Sequence, residues 1–285
     1  MPSICYLLHA KAKDDMNKSS KLATEENRWY TTMGKMFPGE KVIYRDKDLF
    51  QDLRDFTWMQ LYLYGITGRI YSPIVARLFE GMWTLCTSYP DPRIWNNRVA
   101  SIAATARSTG SLAISAVTAI SEATVFGRGP DIHAIDFLIR TIKKLGDGHS
   151  LASVVGEELK TFRGIYGYGR PKFAKDERIA PLLSLANELG LADGPHTKLA
   201  FEVETILLEG GWRMQMNVAA LGAALSADQG FSALDYYYFL IPCFTAGAMP
   251  CFLEARQRPE GMFLPVSQNK IQYEGVPPRP WTLRP

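Results

Sequence analysis

Strict two-residue alternation of apolar and polar side chains is nearly absent from this chain, while three- and four-residue spacings recur from Ser72 onward. A half-buried strand needs the first period and a helix buried along one stripe needs the second, so the chain reads as helical with strands a minor element. Ser72 to Cys86 sets the pattern, with Ile74, Val75, Leu78, Phe79 and Met82 at helical spacing. A second helical region runs from Asn97 to about Ala123. Its half GSLAISAVTAISEA is rich in Ala, Ser and Gly, which lets helices approach closely and predicts a central, nearly fully buried helix. FGRGPD, residues 126–131, breaks the period with two glycines and a proline. HAIDFLIRTIKKLG restarts it, with Ile135, Leu138, Ile139 and Ile142 on one side, and SLASVVGEELKTF follows with Ser150 as its N-cap. Three more helices are predicted in ERIAPLLSLANELGL, GPHTKLAFEVETILLEGG and GWRMQMNVAALGAALSA, the last packing closely through Met216, Ala220 and Ala223. The expectation is an all-α globule of about ten helices, with the glycine-bearing loops at residues 126–131 and 164–175 as the functional positions.

Composition removes several classes. A chain of 285 residues builds one large domain or two unequal lobes, and 47% hydrophobic with 21% charged residues excludes disordered, collagen-like and disulfide-scaffold chains. A formal charge of +3 is too near neutral to predict nucleic-acid or acidic-membrane binding, which leaves a small molecule as partner. Cys5, Cys86, Cys243 and Cys251 show neither CxxC spacing nor a neighbouring His cluster, so no metal is expected and free thiols are. The N-terminus lacks the basic region and cleavage site of a signal peptide, and a cytoplasmic protein is expected. Tyr236 to Leu253 is uncharged over a span-like length, but Pro242 and Pro250 interrupt it, and it reads as a buried core or interface helix rather than a membrane contact. The tail VSQNKIQYEGVPPRPWTLRP reads as an extended strap.

No P-loop, HExxH or GxSxG motif is present. His9, His149 and His196 sit where solvated loops or caps are expected. His133 differs, because it opens a helix beside Asp131 directly after the glycine break, where backbone N–H groups favour developing negative charge. Substrate polarisation and simple capping or packing are equally open for it. Arg163, Arg170, Lys172, Lys175 and Arg178 crowd a loop that also carries Tyr166, Tyr168 and three glycines. Such a loop is either a solvated basic segment or an anion site built from forked guanidinium donors.

GYGRPKFAKDERIAPLLSLANELGL resembles the citrate synthase segment that reads glycine, aromatic, glycine, His, Pro and then Asp-x-Arg before a helix. Gly167, Tyr168, Gly169, Pro171, Asp176 and Arg178 match it. SEATVFGRGPDIHAIDFLIRTI looks like the helix, glycine break and helix that carry the family's first catalytic histidine. FLIPCFTAGAMPCFLEA is similar to its late Thr-Ala-Gly helix, and IQYEGVPPRP to its C-terminal strap. PDPRIWNNRVA, with Asn96 and Arg98 as candidate substrate contacts, resembles the small citryl-CoA lyase-like members.

The resemblance implies an all-α, two-domain homodimer with a large domain from residues 1–132 and 213–285 and an inserted small domain from residues 133–212. It also implies making or breaking a C–C bond between an acyl-CoA and a 2-oxo acid, with a coenzyme A thioester as co-substrate and no metal. In that chemistry a His and an Asp enolise the thioester, a second His polarises the ketone and arginines hold carboxylates. Carried over, the ketone-polarising histidine falls on Arg170, the catalytic aspartate on Gln215, and the first histidine on Asp131 or His133. Arg178 matches a carboxylate-binding arginine, whereas Phe244 replaces another and Gln268, Asn269 and Lys270 meet a third. Gly167, Tyr168 and Gly169 fall where coenzyme A is bound. These departures predict an enzyme that does not select oxaloacetate. They leave open a non-catalytic relative that binds a small acid or coenzyme A, and a CoA-independent enzyme for decarboxylation, dehydration or condensation.

Overall fold

The structure is a computed structural model that describes residues 25–86, 89–124, 127–170, 175–263, 266–277 and 279. Cys5, His9, Lys172 and Pro171 of the sequence reading lie outside the described residues, as does part of the proline-rich tail. The chain forms two compact units, residues 1–55 and 56–285. In the first, β1 (Gly34–Phe37), β2 (Lys41–Tyr44) and β3 (Lys47–Asp48) make an antiparallel sheet in that order, with Gly34 opposite Tyr44 and Ile43 opposite Asp48.

The second unit is helical. Its elements are α1 (Trp58–Thr67), α2 (Pro73–Cys86), α3 (Trp95–Thr105), α4 (Gly110–Ile120), α5 (Arg128–Gly146), α6 (Leu151–Phe162), α7 (Ile179–Glu188), α8 (Pro195–Glu209), α9 (Val218–Asp228), α10 (Ala233–Leu240) and α11 (Thr245–Arg256). Local chemistry starts many of them: Thr57 and Gln60 form a capping box on α1, Ser232 and Asp235 one on α10, and Ser150 caps α6 by accepting from the Ser153 N–H. At α8 the cap comes from elsewhere. Asp228 accepts from the N–H groups of His196 and Thr197 at 2.8 and 3.0 Å, and its Oδ1 lies 2.9 Å from His196 Nδ1. His196 is therefore a largely covered partner of a buried carboxylate rather than a solvated residue, while His149 is exposed.

The VAALGAALSAD helix is the axis of the unit. Every residue from Ala220 to Ala227 is buried, since small side chains let α5 and α8 close on it, as the sequence predicts for Ala220 and Ala223. Around it lie Leu63, Leu78, Phe79, Ile135, Phe137, Leu138, Leu182, Val203 and Phe239. In α2 the prediction holds for Leu78, Phe79 and Met82, but Ile74 faces out, 53% exposed. The predicted long helix from Asn97 breaks at Ala106 to Thr109, where Arg107 takes φ 58°, into α3 and α4. The fully buried placement of α4 is also corrected: it packs mainly against α3 and α11, burying Ala113 and Val117, and its Thr118 carbonyl accepts from Arg128 of α5.

The apolar run from Tyr236 divides at Ile241 to Phe244 into α10 and α11. By length and composition Ala233–Arg256 is apolar enough to cross a bilayer, and less than half of its apolar window is buried. Its covered residues serve two cores: Tyr236 and Phe239 pack in the main one, and Ala248 and Phe252 join a smaller one with Ala100, Ala104, Ala113 and Val117.

Candidate functional site

A cavity of about 600 Å³ opens between the C-terminal turn of α2, the first turns of α5 and α9, the loop at residues 164–170 and the α10–α11 corner. The loop is held against the chain entering α9 by an isolated antiparallel bridge between Tyr168 and Met216. Gly169 N–H donates to the Gln215 carbonyl at 2.6 Å, Asn217 N–H to that of Gly167 at 2.9 Å, and Asn217 Nδ2 to that of Gly169 at 2.9 Å. Tyr168 donates its hydroxyl to the Ala200 carbonyl at 2.8 Å, which anchors the bridge to α8. Gly167 has φ +90°, and a Cβ there would lie 2.6 Å from Cβ of Ala220, so this crossing demands glycine.

Asp131, in the first turn of α5, lines the cavity. No hydrogen bond joins its carboxyl to another side chain among the described residues. Burial raises this carboxyl to about 7, against the opposing pull of Arg178 and Arg128. Arg178 lines the same cavity from the start of α7. Its Nε and Nη2 bind Asp176 Oδ1 and Oδ2 at 2.9 and 2.8 Å, and Oδ2 also accepts from the Val218 N–H at 2.9 Å. Burial works against the Asp176 charge, yet these donors hold its carboxyl down at about 2. The matched Asp-x-Arg is thus a rigid fork that occupies Nε and Nη2 of Arg178.

Arg170 also lines the cavity, but its Nη1 binds Glu177 Oε2 at 2.6 Å and the Lys175 carbonyl at 3.0 Å. Phe244 forms an apolar wall with Met82, Trp83, Phe239 and Leu240. Gly167, Tyr168 and Gly169 also line the cavity. His133, Gln215, Asn96 and Arg98 are not among the lining residues. His133 stacks on Tyr166 with ring centres 4.6 Å apart, over a charged hollow with Asp136, Arg140, Lys144 and Glu157. Gln215 gives its carbonyl to the Gly169 bridge, and the lining residues of that segment are Asn217, Val218 and Ala219, none acidic. Asn96 is buried and binds the Asn97 N–H, and Arg98 donates to the carbonyls of Pro92 and Arg93.

Several residues of the site carry no motif. Tyr236 lies buried in the wall with its hydroxyl against Gly222, and burial together with Asp131 pushes it well above the usual phenol range, so it is a neutral donor. Burial raises the Cys86 thiol to about 12 and the Cys243 thiol higher still, so both are soft apolar lining at neutral pH. Arg128 is fully buried behind Asp131, bound to Glu122 and, at 2.7 Å, to the Thr118 carbonyl. Asn217, which the sequence reading did not single out, caps α9 by accepting from the Ala219 N–H. Among the described residues no group of three or more His, Cys, Asp or Glu side chains is placed to hold a metal.

No family model matches the chain, and no curated protein does. Solved structures do. Citryl-CoA lyase from Hydrogenobacter thermophilus aligns over 90% of this chain and 98% of its own with a TM-score of 0.76 at 20% identity. ATP citrate lyase from Methanothrix soehngenii, in complex with citrate and coenzyme A, aligns over 96% of this chain with a TM-score of 0.65 at 18% identity, and this chain spans 47% of it. Citrate synthase from Thermoplasma acidophilum, in a ternary complex with carboxymethyl coenzyme A and oxaloacetate, aligns over 80% of this chain and 59% of its own with a TM-score of 0.60 at 16% identity. The helical unit, with its cavity between α5, α7, α9 and the α10–α11 corner, therefore has the fold that citryl-CoA lyase and citrate synthase share.

Proposed function

We propose that the chain binds a coenzyme A thioester and a small oxo acid in this cavity and makes or breaks the C–C bond between them. The observation that carries the reading is the pair formed by Asp131, a carboxyl with no side-chain hydrogen bond among the described residues and raised by burial to about 7, and Arg178, a braced guanidinium lining the same cavity. The lip at Gly164 to Gly169 takes the thioester arm, Arg178 Nη1 takes the carboxylate, and Tyr236 donates to the carbonyl oxygen. Arg170, tied to Glu177, shapes the lip.

One titrating carboxyl is enough for an aldol-type step. In the cleaving direction Asp131 takes the hydroxyl proton at the carbon β to the thioester carbonyl. The bond from that carbon to the α-carbon breaks, the former carbon becomes a ketone, and the electron pair moves into the thioester enolate. The same carboxyl then returns its proton to the α-carbon. Hydrolysis of the thioester would need a second base to activate water, and the described lining residues include no histidine and no second carboxylate. The reading is thus a lyase or a reversible condensing enzyme, rather than a synthase that hydrolyses its thioester product.

Calorimetric titration with coenzyme A, then with oxo acids on the CoA-loaded protein, tests binding, and NMR exchange of acyl-CoA α-protons in D2O tests proton transfer. Binding of coenzyme A, with exchange lost in Asp131→Asn, is the expected result, and no binding of either ligand would sink the reading. The lack of a lining histidine favours a second reading, a non-catalytic binder, for which ligands raise the melting temperature without any exchange. A homodimer is also proposed, built on the outer face of α4.

A further inference from the structure

We infer that the acid half of the substrate is a monoanion carrying an apolar chain, and that the cavity selects against compact di- and tricarboxylates. This rests on the proposed function and names the substrate class of the same site.

The charge available in the cavity is the first argument. Each ligand carboxylate brought out of water needs a charge-assisted partner. Among the described lining residues only Arg170 and Arg178 are cationic. Arg170 has both terminal nitrogens turned to Glu177, at 2.6 and 3.4 Å. Arg178 spends Nε and Nη2 on Asp176, which leaves Nη1. The helix starts that line the cavity add little, because their donors are already taken: Val218 N–H binds Asp176, Ala219 N–H binds Asn217 Oδ1, and Pro130 has none. Asp131 would repel a second carboxylate whenever it is ionised. The supply matches one carboxylate, while oxaloacetate brings two and citrate three.

Shape is the second argument. Met82, Trp83, Phe239, Leu240 and Phe244 give the cavity apolar lining from α2 and the α10–α11 corner, and the two cysteines that also line it are un-ionised. The cavity of about 600 Å³ lies within the roughly 300–1,000 Å³ of pockets that enclose drug-sized ligands, and beside a thioester arm at the lip a four-carbon acid held by Arg178 leaves part of this apolar lining uncovered. An alkyl or aryl chain on the oxo acid fills it, and each buried methylene strengthens binding by roughly fourfold.

The test is calorimetry on the full chain, first with coenzyme A and then, on the CoA-loaded protein, with 2-oxooctanoate and oxaloacetate. The inference expects 2-oxooctanoate to bind at least about tenfold tighter, and Phe244→Arg to reverse the order. Should Phe244→Arg fail to fold, the order on the unaltered chain decides alone. Coenzyme A binding with oxaloacetate equal or tighter, or with neither acid bound, overturns the inference and leaves the CoA part of the proposed function standing; a cation supplied by a second copy of the chain would give the first of these. Failure of coenzyme A and both acids overturns the proposed function and this inference together.

Discussion

Asp131 lines the cavity and Asp176 braces the Arg178 that lines it, and the two carboxyls have opposite relations to their surroundings because of their donors. Asp176 has four, from Arg178 Nε, Nη2 and backbone N–H and from the Val218 N–H, and stays ionised down to about 2. It contributes stability above its unfolded value of 3.8, and that stability is lost as pH falls from there toward 2. Asp176→Asn is expected to cost about 2–3 kcal/mol at pH 7 and almost nothing near pH 2, measured by urea unfolding at each pH. Asp131 has no side-chain donor among the described residues, and burial places it at about 7. An acid raised in the folded state is protonated there while the unfolded chain is ionised, so stability falls as pH rises from about 4 to about 7. Asp131→Asn is expected to raise the melting temperature at pH 8 and leave it unchanged near pH 4. If Asp131 is the base, turnover rises through about pH 7 and that limb disappears in the same variant. A pH profile that keeps its limb without Asp131 would assign the proton transfer elsewhere.

At the scale of elements, the bridge between the 164–170 loop and the entry to α9 fixes the part of the cavity lined by Gly167 to Arg170 and Asn217 to Ala219. Gly167→Ala combines φ +90° with a Cβ at 2.6 Å from Cβ of Ala220, and a loss of about 3 kcal/mol or more is expected. Gly169→Ala has φ +88° but meets nothing nearer than 3.8 Å, and about 1–2 kcal/mol is expected. Equal losses in urea unfolding would mean that φ strain, not contact with α9, dominates. The glycines and the helices from Ser150 to Ala227 were legible because each depends on local chemistry, a period, a cap or a turn, whereas the Asp-x-Arg was legible only through the resemblance to a known family. His133, two residues from Asp131, was not. Helical geometry separates positions two apart to different faces, so Asp131 lines the cavity while His133 turns out onto Tyr166. Tyr236 and Arg128 were illegible for a related reason, since their roles arise from elements that meet only after folding.

At the scale of the molecule, α4 is the element that a single helical unit does not explain. Its sequence GSLAISAVTAI holds no charge, yet Leu112 is 63% and Ile120 44% exposed, with Ala116 and Ala119 between them on the same side. The sequence pattern, which predicts burial, and the packing, which leaves this face outside, agree if a second copy covers it. A helix of small residues suits a twofold contact, because the same close-approach surface is offered by both copies. Phe244, which joins α11 to the cavity wall, packs against the same small core as α4, so such an interface would brace the apolar side of the site. Replacing Leu112 and Ala116 together with Glu is expected to halve the mass seen by light scattering while leaving the helical circular dichroism unchanged, since neither side chain is buried in the monomer. Coenzyme A affinity measured on both forms then separates a dimer that completes the cavity from one that only stabilises it. An unaltered chain that is already monomeric at working concentration, or a variant that keeps its full mass, would refute the interface and leave the apolar face of α4 to another partner.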